Sequence, residues 1–430
     1  MRLTGMRAAA AVAAVTLLAA ACGSSGGGTG TGGGNPTSGS TGGGGGTSAE
    51  PLKFGYVLPE TGSLAYLGPP QIEAVKYAIS LINKDGGVLG KQIGAPVGGD
   101  EADDQAIANQ SADRVLAAGV NVIIGAAASG MSLAIIDKVT GAGVAQCSGS
   151  NTAPTFTDYK DNGLYYRTAP SDALQGPVLA DTIVSDGHSQ VAITARADDY
   201  GKGLADATAK ALQNAGASVV LNETYDPKAT DFNATVQNIV AKKPDAVVVI
   251  GFEEGKQIIQ GLIEAGLTPQ KVGMYGADGL RNADLAKLVS PNDPSKLAGF
   301  KGTAPASADN PDFIKNLKAF APSLKEVQFA PQVFDCVNIM ALAAEQAKST
   351  KADDFKKVVN DITKGGEKCT SFADCKKLID EGKDIDYDGA SGPLDFTAAG
   401  EPGSASIEVY EFDKTGALKT VKTVQSKPTS

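Results

Sequence analysis

The chain has 430 residues, 42% of them hydrophobic, with 48 acidic against 38 basic side chains, one histidine, five cysteines and no tryptophan. A single imidazole, His188, rules out a multi-histidine zinc site and leaves any Ser-His-Asp triad only one possible base. A net charge of −10 without long Lys/Arg runs lacks the electrostatic footprint of a nucleic-acid binder, and the length suggests two domains or one bilobal unit.

Residues 1–21 read as a targeting segment. Arg2 and Arg7 precede an apolar run from Ala8 to Ala21, too short to span a bilayer and suited to a signal-peptide core. The run ends in Leu18-Ala19-Ala20-Ala21-Cys22-Gly23, which resembles a bacterial lipoprotein lipobox; Cys22 would then be acylated and begin the mature chain. Residues 22–50 are almost entirely Gly, Ser and Thr, a composition that cannot bury enough apolar surface to offset its ordering entropy. As a flexible coil this tether spans about 30 Å. An anchor and a leash place the folded body at the outer face of the cell membrane, against the lipid bilayer.

Beyond Pro51 strands and amphipathic helices alternate. Leu52–Leu58 reads as a strand and Gln71–Asn83 as a helix, with Ile72, Val75, Ile79 and Ile82 on one face. A strand is expected at Ile93–Val97, a helix at Asp104–Ala118, a buried strand at Val120–Ile124, a helix at Met131–Val139 and a strand near Val144–Gln146. The series continues with strands at Gln190–Ala195, Ser218–Glu223, Ala246–Ile250 and Lys271–Tyr275, and helices at Gly203–Ala215, Phe232–Lys242 and Lys256–Ala265. A long helix at Gln332–Ala347 and strands at Ile407–Phe412 and Lys419–Val424 close the chain. The pattern is α/β, with parallel central sheets covered on both faces by helices. Ligands of such sheets bind beyond the carboxyl ends of the strands, and two lobes facing each other there form a cleft.

With Cys22 lipidated, four cysteines remain in an oxidising setting. Cys369 and Cys375 lie in a polar stretch and most simply close a small loop together, leaving Cys147 with Cys336; two buried free thiols are the alternative for that second pair.

Catalytic machinery is sparse. His188 sits in Ser185-Asp186-Gly187-His188-Ser189, a turn before a strand with no base–orienter pair nearby. Gly86-Gly87-Val88-Leu89-Gly90-Lys91-Gln92 lacks the spacing and the terminal hydroxyl of a phosphate-binding loop. The acidic pairs at 103–104, 198–199 and 253–254 suit turns and helix starts. Polar groups instead gather at strand ends. Ser129 follows Val120–Ile124 where backbone amides and a helix N-terminus meet, a setting for a carboxylate. Ser148-Gly149-Ser150-Asn151-Thr152 ends the next strand, and Gly276-Ala277-Asp278-Gly279 presents an acid of the kind an ammonium needs.

Several separated motifs, in order along residues 51–430, resemble the type I periplasmic leucine/isoleucine/valine-binding family. They are Phe54-Gly55-Tyr56-Val57-Leu58-Pro59-Glu60-Thr61-Gly62, Ala74–Ile79 with Ile82-Asn83-Lys84-Asp85-Gly86-Gly87, Tyr166-Arg167-Thr168-Ala169-Pro170-Ser171-Asp172 with Gln175-Gly176-Pro177, Asp199-Tyr200-Gly201-Lys202-Gly203, and Gly392-Pro393-Leu394-Asp395-Phe396. The resemblance implies two Rossmann-like lobes joined by three crossovers, residues 51–172 with 305–397 and residues 173–304 with 398–430. It implies an amino acid captured by hinge closure and delivered to the permease subunits of an ABC transporter by a monomer, with no cofactor, metal or enzyme activity. Carried onto this chain, Ser129 and the backbone near Ser150 take the ligand α-carboxylate, Thr152 contacts the amino end, Asp278 pairs with the ammonium and Tyr200 closes over the ligand. Tyr66 and Phe252 contribute to the side-chain pocket. Leu67 replaces an expected tryptophan, and Asp278 stands where glutamate is familiar. The rival readings are a sensor or carrier of amides, urea or another small polar solute, and a hydrolase built on the same two-lobe scaffold.

Overall fold

The computed structural model describes residues 50–306 and 310–426. The signal segment, Cys22 and all but the last residue of the tether lie outside the described residues. Ser48–Ser430 forms one compact unit.

Alternation of strand and helix runs through the first part of that body: β1 (Phe54–Leu58), α1 (Gly68–Lys84), β2 (Val97–Asp100), α2 (Gln105–Ala117), β3 (Val122–Gly125), α3 (Ser129–Gly141), β4 (Ala145–Ser148) and β5 (Tyr165–Arg167). It resumes with α4 (Asp172–Ser185), β6 (Gln190–Arg196), α5 (Asp199–Asn214), β7 (Ser218–Tyr225), α6 (Asn233–Lys242), β8 (Ala246–Ile250), α7 (Gly255–Glu264), β9 (Gly273–Gly276), α8 (Leu285–Val289) and β10 (Lys301–Pro305). The chain then forms α9 (Pro311–Phe320), α10 (Ala330–Ala347), α11 (Ala352–Phe355), β11 (Glu367–Cys369), α12 (Phe372–Asp380), β12 (Ile385–Gly389), β13 (Gly392–Pro393), β14 (Ala405–Phe412) and β15 (Leu418–Ser426).

Two sheets carry the architecture. The first has the order β2-β1-β3-β4-β5 and is parallel throughout. The second has the order β15-β14-β10-β9-β8-β6-β7; it is parallel from β10 to β7, and the hairpin β14–β15 adds to it antiparallel. A small third sheet, β11-β12-β13, packs with α10 and α12.

Burial explains the sequence pattern. Strand β8, Ala-Val-Val-Val-Ile, is buried at every position, as a central parallel strand with both faces covered must be. Helix α10 buries sixteen of its eighteen residues between the first sheet and the third. Its Ile339, Met340 and Leu342 are fully enclosed, each stabilising the fold by about 1.5–3 kcal/mol. One core unites β1, β3 and β4 with α1, α9, α10 and α12; another unites β7, β8 and β9 with α6, α7, β10 and β14.

The expected strand at Ile93–Val97 is a correction: the strand is Val97–Asp100. Two glycines hid it, because Gly98 leaves room for the Tyr56 ring, whose hydroxyl would lie 2.4 Å from an added Cβ. Both cysteine pairs are bonded, Cys147 with Cys336 and Cys369 with Cys375.

Candidate functional site

The carboxyl ends of β3, β4, β6, β8 and β9 all lead into one interlobe cleft. Ser129 is the first residue of α3, Tyr200 is the second of α5, Phe252 follows β8, and Asp278 opens a short 3-10 turn after β9. Ser129, Ser150, Tyr200, Phe252 and Asp278 border a single cavity together with Leu64, Leu67, Ala127, Ala128, Gly279 and Phe329. The cavity is only about 10 Å³, room for about one water. Anything larger than a water therefore enters only as the walls move apart.

Asp278 is 4% exposed. Its Oδ1 accepts from Gln175 Nε2 at 2.8 Å and from the Tyr200 hydroxyl at 3.0 Å, while its backbone carbonyl accepts from Gln328 Nε2 at 3.0 Å. Tyr200 also stacks on Phe252, with ring centroids 5.3 Å apart and planes 17° from parallel. Asp172, the first residue of α4, is fully buried, and neither carboxylate oxygen has a hydrogen-bond partner. Its backbone N–H donates to the Thr152 carbonyl at 2.7 Å, and the Thr152 hydroxyl beside it is also unbonded. Neither Asp172 nor Asp278 forms an ion pair with a Lys or Arg among the described residues.

Two buried acids without an ion-pair partner hold their protons tightly, although the Arg167 charge partly opposes this at Asp172. Burial raises the Asp278 carboxyl from the usual 3.8 to about 6, against the lowering effect of its Gln175 and Tyr200 bonds. Burial, and then the Asp278 charge, push Asp172 well above the carboxylate range. An acid with a higher pKa folded than unfolded favours the folded chain below about pH 4 and loses that contribution as pH rises through about 6. Asp335, raised to about 6, and Glu101, raised to about 8, act with the same sign. The ligand-free body is therefore expected to melt lower at pH 7.5 than at pH 5 in scanning calorimetry; a flat or rising melting temperature over that interval contradicts it.

The opposite wall differs from expectation at one point. The amides of Ala127 and Ala128, in the turn before α3, already donate to the buried Glu101 carboxyl, at 2.5 and 3.0 Å. They are satisfied from within the chain. What faces the cavity there is the Ser129 hydroxyl, which accepts from Ala153 N at 3.3 Å, and the Ser150 hydroxyl, 3.1 Å from Ala127 O and 3.2 Å from Gln71 Oε1. Gln71 Nε2 is buried without a partner.

Tyr66 is not part of the cavity wall: its hydroxyl donates to Gly279 O at 3.1 Å, tying the two sides of the cleft, and Leu64 and Leu67 supply the wall instead. Thr152 lies behind the wall, against Asp172. Sequence reasoning missed Asp172, Gln175, Glu101 and Phe329 as site residues. Asp172 and Gln175 stood inside a motif already noted; Phe329, after a loop and with φ of 61°, carried no signal.

Comparison with known proteins agrees with the architecture. A Leu/Ile/Val-binding protein homologue of Brucella melitensis is 25% identical, over 84% of this chain and 91% of its own. Two solved structures share the fold: a branched-chain amino acid transporter substrate-binding protein of Streptococcus pneumoniae in complex with isoleucine (TM-score 0.71, 23% identity, 88% of this chain and all of that one), and a solute-binding protein of R. palustris in complex with benzoate (0.70, 18%, 88% and 97%). Among the described residues no helix is long and apolar enough to cross a membrane. A sequence model described as periplasmic binding protein matches residues 51–417, and the chain belongs to that family, as a binding protein of the type I fold and not an enzyme.

Proposed function

We propose that this protein is the extracytoplasmic substrate-binding component of an ABC importer, anchored by acylated Cys22, and that it captures an aliphatic amino acid in the cleft and hands it to the permease. The observation that carries the reading is Asp278, a buried carboxylate with no ion-pair partner among the described residues, which borders the same cavity as Ser129 and Ser150 and has the Asp172 carboxyl close enough behind it for their charges to interact. An α-ammonium neutralises the first side and an α-carboxylate accepts from the second. The apolar wall of Leu64, Leu67, Phe252 and Phe329 suits an aliphatic side chain, in keeping with the Leu/Ile/Val-binding name of the relative. A benzoate-type ligand brings no cation to the two acids. The lobes are taken to divide at residues 172/173, 304/305 and 397/398, with hinge closure favoured by contacts made only when the lobes meet.

The test is thermal unfolding of residues 51–430 against a panel of amino acids, amides, urea and aromatic acids. A ligand at about a thousand times its dissociation constant adds about 4 kcal/mol. A shift confined to aliphatic amino acids is expected; a response only to an amide or an aromatic acid overturns the reading.

A further inference from the structure

Arg196 ends β6 and is 2% exposed. Its donors are divided among three acids. Nε bonds to Asp198 at 2.5 Å, Nη1 to Glu254 at 3.2 Å, and Nη2 to both oxygens of Asp103 at 2.9 Å. Asp198 caps α5 and Glu254 precedes α7, so both are anchored to the same sheet as Arg196. Asp103 comes from the loop after β2, across the cleft. If the lobes part, Nε and Nη1 keep their partners and Nη2 loses its own.

The loop that delivers Asp103 has an unusual backbone. Ala102 and Asp103 are consecutive left-handed residues, each with φ of 51°, a conformation uncommon for alanine and better tolerated by aspartate. The Ser63 hydroxyl donates to Asp103 Oδ2 at 2.6 Å. Gly62, itself at φ 86°, lets the loop approach: a Cβ there would lie 2.4 Å from the Ala102 carbonyl. Such a backbone persists where the surrounding structure over-determines it, commonly at sites that move or bind.

The ion pair also touches the cleft. The Arg196 guanidinium lies 3.5 Å from the Phe252 ring centroid, Phe252 stacks on Tyr200, and Tyr200 bonds to Asp278. We infer that Asp103–Arg196 is the latch of the closed cleft, made when the lobes meet and coupled to the ligand through Phe252 and Tyr200, so that it sets how slowly the ligand leaves. Both are positioning residues, and neither borders the cavity. The inference rests on the cleft reading above. A second pair across the gap, Lys228–Asp104 at 3.0 Å, is solvent-exposed, where ion pairs contribute little.

Asp103→Asn is the test, because Asn keeps the shape and tolerates the left-handed backbone while losing the charge, and Arg196 retains two acids. Stopped-flow measurement with the best amino acid of the panel is expected to show dissociation about 10- to 100-fold faster with association changed less than about threefold. Asp103→Glu should recover part of the slow dissociation, and Lys228→Ala should match the unmodified protein. Unchanged dissociation, or a loss confined to association, overturns the latch. If no panel member binds, the cleft reading fails separately. Small-angle scattering of the ligand-free body then decides: a larger radius of gyration for Asp103→Asn supports the latch, and an unchanged one overturns it.

Discussion

Replacing Asp278 by alanine is expected to weaken amino acid binding by about 2–5 kcal/mol, roughly 30- to 4,000-fold, the usual cost of truncating one member of a desolvated charge pair. The side chain is enclosed by Gln175, Tyr200 and the turn it begins, beside a cavity with room for only about one water. Asp278→Asn separates charge from shape. The amide oxygen can still accept from Gln175 and Tyr200, yet the ammonium loses the carboxylate that borders the cavity, so affinity should fall as it does for alanine. The ligand-free protein should meanwhile gain stability at pH 7.5, because a carboxyl held at about 6 by burial is removed from beside Asp172. Titration calorimetry measures the first effect and scanning calorimetry the second. Undiminished affinity in both variants would falsify the assignment of Asp278 to the ammonium.

The second large effect concerns stability rather than binding. Removing the Cys147–Cys336 bond by a double alanine substitution is expected to cost about 5 kcal/mol, since the bond joins residues 189 positions apart and the entropic gain from closing a loop grows with its length. Both sulfurs sit in the core between β4 and α10, away from the cavity wall, so ligand affinity should stay close to that of the unmodified protein. The Cys369–Cys375 bond closes a separation of six, and its loss should cost about 2 kcal/mol by the same relation. Scanning calorimetry of the two double variants should rank them in that order. Equal destabilisation would mean that packing, not loop closure, dominates.

The alternation of strand and helix was legible because hydrophobic period and length agree in elements such as α1, β8 and α10. Elements that break the period were not. Strand β2 is half glycine because Tyr56 and Ser111 need the space over Gly98 and Gly99. Helix α4 carries Pro177 within it, which reads from sequence as a helix stop. At the cleft, Ser129, Ser150, Phe252 and Asp278 were readable from strand ends and Tyr200 from the family resemblance, and all five border one cavity. What the sequence could not disclose was tertiary adjacency. Nothing local announces that Asp172 lies near enough to Asp278 for their charges to interact, or that Glu101 reaches 26 positions along the chain to occupy the Ala127 and Ala128 amides. Tyr66 shows the limit in another way: its segment was noted, but only the fold reveals that its hydroxyl donates to Gly279 O at the cavity border while Leu64 and Leu67 supply the wall.

The hairpin β14–β15 has a consequence for how these molecules tolerate one another. It places β15 at the margin of the seven-stranded sheet, where unpaired backbone groups could recruit a strand from a neighbouring copy. Along that margin Lys419, Thr420, Lys422 and Thr423 are exposed, and the register slips between Val409 and Tyr410. Lysines and an irregular ladder make this strand a poor template for edge-to-edge stacking with a neighbouring copy.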